Sequence, residues 1–162
     1  MNLVEADVEE AHGEMVARFG SVSIPVPADR TGALRAAGAK RVALGVRPEA
    51  FEDAQLAAVS DAARISVPVE LVEHTGAEAI VSFDTGGSPV RTADVRAVLE
   101  DIDAAAVDAT ERAIFSARVS PKTGAAHGGT IELLVETDQL HFFDLDSGAA
   151  IGEGATTQVA SP

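Results

Sequence analysis

Apolar and polar residues alternate through most of this chain. An alternation of period two marks strands that bury one face and expose the other. Val4, Ala6 and Val8 alternate with Glu5 and Asp7, and Met15 to Phe19 is apolar with a looser alternation. Ala11-His12-Gly13 lies between them, so the stretch predicts a β-hairpin. Val22 to Val26 predicts a short strand, which Pro25 and Pro27 confine to a sheet edge. A brief helix is expected near Arg30 to Ala37, with Asp29 as its cap and Gly38 ending it in a left-handed conformation. Arg41-Val42-Ala43-Leu44-Gly45-Val46 then predicts a buried strand, stopped by Arg47-Pro48-Glu49. From Ala50 to Arg64 no period stands out, and the stretch reads as loop with one helical turn at most.

The strongest strand pattern runs from Ile65 to His74, where Ile65, Val67, Val69 and Leu71 alternate with Ser66, Pro68 and Glu70. Thr75-Gly76 turns the chain and Ala79 to Phe83 returns it. Val95, Val98, Leu99, Ile102, Ala106 and Ala109 recur at three and four residues, which predicts an amphipathic helix over about 93–109. Further strands are expected at Ile114 to Val119, Ile131 to Val135 and Leu140 to Phe143, with a flexible Gly-rich connector from Pro121 to Gly129. Many short strands separated by turns predict a mainly β fold, a barrel or sandwich of antiparallel strands. Residues 1–150 read as one such domain, with a possible division into two strand-rich halves near 50–64, and 151–162 as a flexible tail.

Composition narrows the function. Apolar residues make up 46 % of the 162, enough for a core, but there is no Trp or Tyr. The six Phe should therefore carry much of the packing. A formal net charge of −14 repels a phosphate backbone, so nucleic acid is not an expected partner. No apolar run approaches the roughly 20 residues of a spanning helix, and Met1 to Glu14 lacks the basic start of a signal peptide. The absence of cysteine removes thiolate chemistry and Cys-ligated zinc.

Catalytic patterns are missing too. None of the glycines is followed by lysine, so no phosphate-cradling Gly-Lys loop exists and no ATP hydrolysis by this chain is expected. No Gly-x-Ser-x-Gly elbow occurs, and His12, His74, His127 and His141 lie at spacings that support no metal site. The chain is expected to be no enzyme, with no cofactor or metal of its own.

Three stretches, in this order, resemble one family. They are Gly45-Val46-Arg47-Pro48-Glu49, then Val69-Glu70-Leu71-Val72-Glu73-His74-Thr75-Gly76-Ala77-Glu78, then Leu140-His141-Phe142-Phe143-Asp144 with Gly148 after it. Together they are similar to the C-terminal regulatory domain of maltose-type carbohydrate-importing ABC-transporter ATPases, a family that includes glycerol-3-phosphate and trehalose importers. The resemblance implies an OB-like, TOBE-type domain that pairs with its twin and can receive regulatory proteins. It also implies a parent whose missing domain holds ATP and magnesium. That parent would bind permease subunits at the cytoplasmic face of the membrane, so the chain would reach the membrane through partners without inserting. Met1-Asn2-Leu3 is similar to the segment that follows the ATPase core, which makes Met1 an expected internal residue.

The same resemblance marks Arg47, Glu49, Gly76, Glu78, His141, Phe142 and Phe143 as candidate regulatory or interface residues. Physically, Arg47 and Glu49 could lock the turn at Pro48 or face a partner. Phe142 and Phe143 must point to opposite faces of a strand, so one fills the core and the other needs cover. Self-association into a two-fold dimer through the strand containing His141 is expected. The alternative reading is an oxyanion-binding module of the molybdate type, supported by Ser116-Ala117-Arg118 but with Val119 where such modules carry Asn.

Overall fold

The computed structural model describes residues 1–58, 61–91 and 112–152. Its strands, all antiparallel, form two five-stranded sheets. The helix expected over 93–109 lies outside the described residues.

The first sheet begins with β1 (Asn2–Ala11) and β2 (Glu14–Phe19). His12 and Gly13 both take positive φ, 54° and 82°, which is the twist-matched geometry of a two-residue hairpin. Next, β3 (Val22–Pro25) pairs with β2 as an edge strand, as its prolines require. Then α1 (Ala28–Ala36) leads to β4 (Arg41–Val46). Asp29 does not cap α1: the cap position is Pro27, with no side-chain hydrogen bond, and Asp29 sits within the first turn. Proline fits there because the first helical N–H groups have no intrahelical acceptors. The C-terminus follows the sequence signal closely. Gly38 takes φ 61° and donates to Arg35 O, and Ala39 donates to Leu34 O, the paired bonds of a Schellman ending.

The chain crosses to the second sheet through a short 3₁₀ turn, Pro48–Ala50, and β5 (Phe51–Asp53). β5 falls in the stretch expected to be loop; three residues are too few to show a period. The long β6 (Ala63–His74) pairs with β9 (Thr130–Val135) through its first half and β7 (Ala79–Asp84) through its second. The switch occurs at a bulge between Val69 and Leu71. β8 (Ile114–Val119) pairs with β7 at the edge. Finally β10 (His141–Phe143) returns to the first sheet, beside β4. The strand orders are thus β10-β4-β1-β2-β3 and β5-β9-β6-β7-β8.

Because β1 and β6 change partners along their length, both sheets curl, in keeping with an OB-like fold. The two sheets share one core. Phe19 of the first sheet stacks on Phe115 of the second at 5.8 Å, and Phe51 and Phe83 complete the aromatic cluster. Loop contacts close the seam. Glu5 N–H donates to Ser88 O where β1 has left β2, and the Asn2 amide exchanges two hydrogen bonds with the backbone of Ser116, at 2.9 and 2.8 Å. The connector from Pro121 to Gly129 is docked: Gly128 donates to Val69 O, Gly129 O accepts from Val69, and Thr123 Oγ1 donates to Asp53 at 2.5 Å. Ile151 is buried and donates to Phe142 O, and Gly152 O accepts from Arg30 Nη1 at 2.6 Å.

Candidate functional site

The seven candidate residues fall in two places. The first is a charged edge built from the 3₁₀ turn, the β6–β7 turn and β8. Thr75 N–H and Oγ1 both reach Glu78 O, at 3.0 and 3.1 Å. Gly76, with φ 92°, supplies the left-handed step that this turn needs. The turn aims the Glu78 carboxylate at Arg118, whose Nε and Nη2 both donate to one carboxylate oxygen, at 2.9 and 2.7 Å. Those hydrogen bonds hold the Arg118 guanidinium above its ordinary value, the Glu78 charge adds to them, and Glu49 contributes from the 3₁₀ turn. Arg47 and Glu49 are both exposed, and Glu49 acts on Arg118 without forming an ion pair with Arg47. The structure therefore brings Glu49, Gly76 and Glu78 together around Arg118, which the sequence offered only as part of the oxyanion-module pattern. An oxyanion at Arg118 would meet two carboxylates, and Ser116 N–H is already taken by Asn2.

The second place surrounds β10. Phe142 is fully buried, while Phe143 is half-buried on the outer face with the His141 ring stacked near it at 6.4 Å. The outer backbone edge of β10 is closed. Ile151 N–H donates to Phe142 O, Asp144 N–H donates to Ala149 O, and Phe143 bridges Ala150. A second strand cannot add there. Beside Phe143 lies an open groove of about 480 Å³, lined by Met1, Leu3, Ala43, Val90 and Leu145. Gly45 lies close beneath two of these side chains: a Cβ there would lie 2.5 Å from Met1 Sδ and 3.2 Å from the Phe143 ring. The turn after β10 is pinned by Asp144, whose Oδ1 accepts from Ser147 N–H at 2.7 Å, Ser147 Oγ at 2.8 Å and Asp146 N–H at 3.1 Å. The Ser147 hydrogen bonds, backbone first, hold this carboxyl below the usual carboxylate range.

Leu3, Asn2 and Ala43 were not singled out as site residues. Leu3 had a signal, since it is apolar at an outward position of an alternating strand. Asn2 had none, because its partner is 114 residues away. Among the described residues no three His, Asp or Glu side chains converge as a metal site would require, and no helix is long and apolar enough to cross a membrane.

Comparison with known proteins agrees with the architecture. Residues 1–51, which run from β1 to the start of β5, match the family model of the MalK OB fold domain. The chain is also similar to the trehalose import ATP-binding protein SugC of Mycobacterium tuberculosis, in strain CDC 1551 / Oshkosh and in strain ATCC 25618 / H37Rv. Identity is 34% over 113 residues in each case, which is 68% of this chain and 28% of that protein. The chain thus spans little more than a quarter of the length of the curated relatives it matches. The two matches bear out the resemblance to carbohydrate-importer ATP-binding subunits that the ordered motifs carry.

Proposed function

We propose that this chain is the regulatory and dimerisation domain of the ATP-binding subunit of a carbohydrate ABC importer, of the maltose, trehalose or glycerol-3-phosphate type. The observation that carries this reading is the 34% identity to SugC over 68% of the chain, together with the MalK-type OB match at its start. In this reading the chain holds no ATP. Its parent's nucleotide-binding part does the hydrolysis, and permease subunits bring the assembly to the cytoplasmic face of the membrane.

Within this reading, charge is the ground for choosing the surface at which two copies would meet. β10 offers no free backbone edge, and the turn after it carries Asp144 and Asp146. Two copies meeting there would bring acid against acid. The edge of Arg47, Glu49, Glu78 and Arg118 holds two charges of each sign, so it is the less repulsive place for two chains of −14 to meet. The net repulsion is screened over about 8 Å at physiological salt, so pairing should strengthen as salt rises. Sedimentation of the chain at high concentration, in low and high salt, checks this; a strict monomer in both removes dimerisation from the proposal.

The regulatory role is tested by exchange. A SugC-type subunit whose matching stretch is replaced by this chain should assemble with its permease and hydrolyse ATP in a transport-dependent way. If the exchange behaves no differently from one carrying an unrelated β-barrel of equal size, the reading fails.

A further inference from the structure

The edge of a sheet presents backbone N–H and C=O groups that only water or another strand can satisfy. Several edges of this chain are closed. Phe142 O accepts from Ile151 beside β10, and the Asn2 side chain occupies both backbone groups of Ser116 on β8. On the side of β6 away from β7, β9 pairs as far as Pro68. At the bulge the Pro121–Gly129 connector takes over. Val69 N–H donates to Gly129 O at 2.9 Å, Gly128 N–H donates to Val69 O at 3.0 Å, and His127 Nδ1–H donates to Glu70 O.

Beyond Glu70 this side of β6 is open. Thr75 N–H donates to Glu78 O, so the positions of β6 bonded to β7 are Thr75, Glu73 and Leu71. The backbone groups of His74 and Val72 therefore point away from β7. Among the described residues nothing bonds to them. Val72 packs on the core, which puts Leu71 and Glu73 on the outer face. Leu71 is 49% exposed, and Glu73 is exposed with no ion pair among the described residues.

A second copy fits this edge poorly. In the one antiparallel register where each copy uses both residues, Val72 lies against the other copy's His74. That register sets Glu73 directly opposite Glu73, and like charges so placed are destabilising. A lysine or arginine at the same place would meet an unpaired carboxylate.

We propose that Leu71–His74 is a strand-addition site for an extended segment of another protein, with a lysine or arginine beside Glu73 and an apolar residue beside Leu71. The segment would exchange backbone hydrogen bonds with Val72 and His74 and extend the second sheet. This goes beyond the proposed importer role and does not rest on it.

The test uses a dye-labelled peptide, Thr-Val-Lys-Val-Leu-Thr. With its valines opposite His74 and Val72, its lysine lies opposite Glu73 and its leucine opposite Leu71. A second version is N-methylated on both valines, which removes the donors facing β6. A third carries glutamate in place of lysine. Fluorescence anisotropy reads binding to the 162-residue chain, and amide hydrogen exchange reads where binding occurs. The first peptide should bind and slow exchange at Val72 and His74. N-methylation should weaken it about ten-fold. Glu73→Gln should weaken the lysine peptide about two- to five-fold at low salt and less at high salt. Equal binding of the N-methylated or the glutamate peptide would overturn the proposal, as would binding without protection of those two amides, or no binding at all. Protection that rises with chain concentration in the absence of peptide would give the edge to a second copy and overturn it too.

Discussion

At the scale of single residues, space and backbone conformation act separately, and two glycines show it. Gly20 has φ 53°, and a Cβ there would lie 2.0 Å from Thr85 O and 2.5 Å from Gly86 C. Both obstacles are backbone, so neither can swing aside. Gly76 has φ 92° but open space around it. Gly76→Ala should therefore lose only the left-handed penalty, about 1–2 kcal/mol. Gly20→Ala should lose that and also force the two sheets' loops apart, about 3 kcal/mol or more in total. Urea titrations followed by circular dichroism check the ordering; equal losses would mean the loop contact is soft. Asp144 gives a second residue-scale expectation. Its folded pKa is depressed by the Ser147 hydrogen bonds. Its contribution is therefore fully present above the ordinary carboxylate value and is lost as pH falls through the depressed folded value. The turn over 144–148 should stay ordered at mildly acidic pH and loosen below it. A carboxyl-carbon NMR titration should place the Asp144 midpoint below that of an exposed aspartate, and Ser147→Ala should move it upward.

At the scale of elements, local signals were legible and distant ones were not. The His12-Gly13 hairpin, the edge placement of β3 and the Gly38 ending of α1 each follow from residues within a few positions of the feature. The same holds for β6, whose alternation survives Pro68. β5 was invisible because its three residues owe their conformation to pairing with β9, more than 80 positions away (Phe51 faces Val135). The Pro121–Gly129 connector read as flexible from its glycines, yet those glycines let the backbone reach the bulge of β6 at Val69. The candidate site divides the same way. Gly76 and Glu78 were legible as a turn, but nothing local shows that Glu78 grips Arg118, 40 residues on. The Asn2–Ser116 clamp is the least legible element. Asn2 protects the backbone of β8, an edge strand, and ties it to β1. Asn2→Ala should cost about 1–2 kcal/mol. Amide exchange at Ser116 should accelerate more than at Phe83 on the neighbouring strand, and uniform acceleration would point to a merely global loss.

At the scale of the whole molecule, the question is whether two curled sheets make one folding unit. The chain visits the first sheet, builds the second and returns through β10, so neither sheet can finish without the other. The core between them is mostly Ala and Val, side chains that bury little area each. Five of the six Phe are buried in it, and four of them form one aromatic cluster. Phe115 is central: it lies 5.8 Å from Phe19 across the seam, 5.9 Å from Phe83 and 6.4 Å from Phe51. It is 1% exposed, so removing its ring leaves a cavity inside the core. Phe115→Ala should therefore destabilise at the upper end of the aromatic range, about 4–5 kcal/mol. The loss should also fall on both sheets together, because the ring touches both. Calorimetry is the suitable measurement, since the chain has no Trp or Tyr to report on packing. A single transition shifted to lower temperature is expected for Phe115→Ala. Phe143→Ala, on the outer face, should shift it much less. Two separated transitions in the Phe115→Ala protein would show that the sheets fold independently, and that the seam residues Asn2, Gly20 and Phe115 join two finished units.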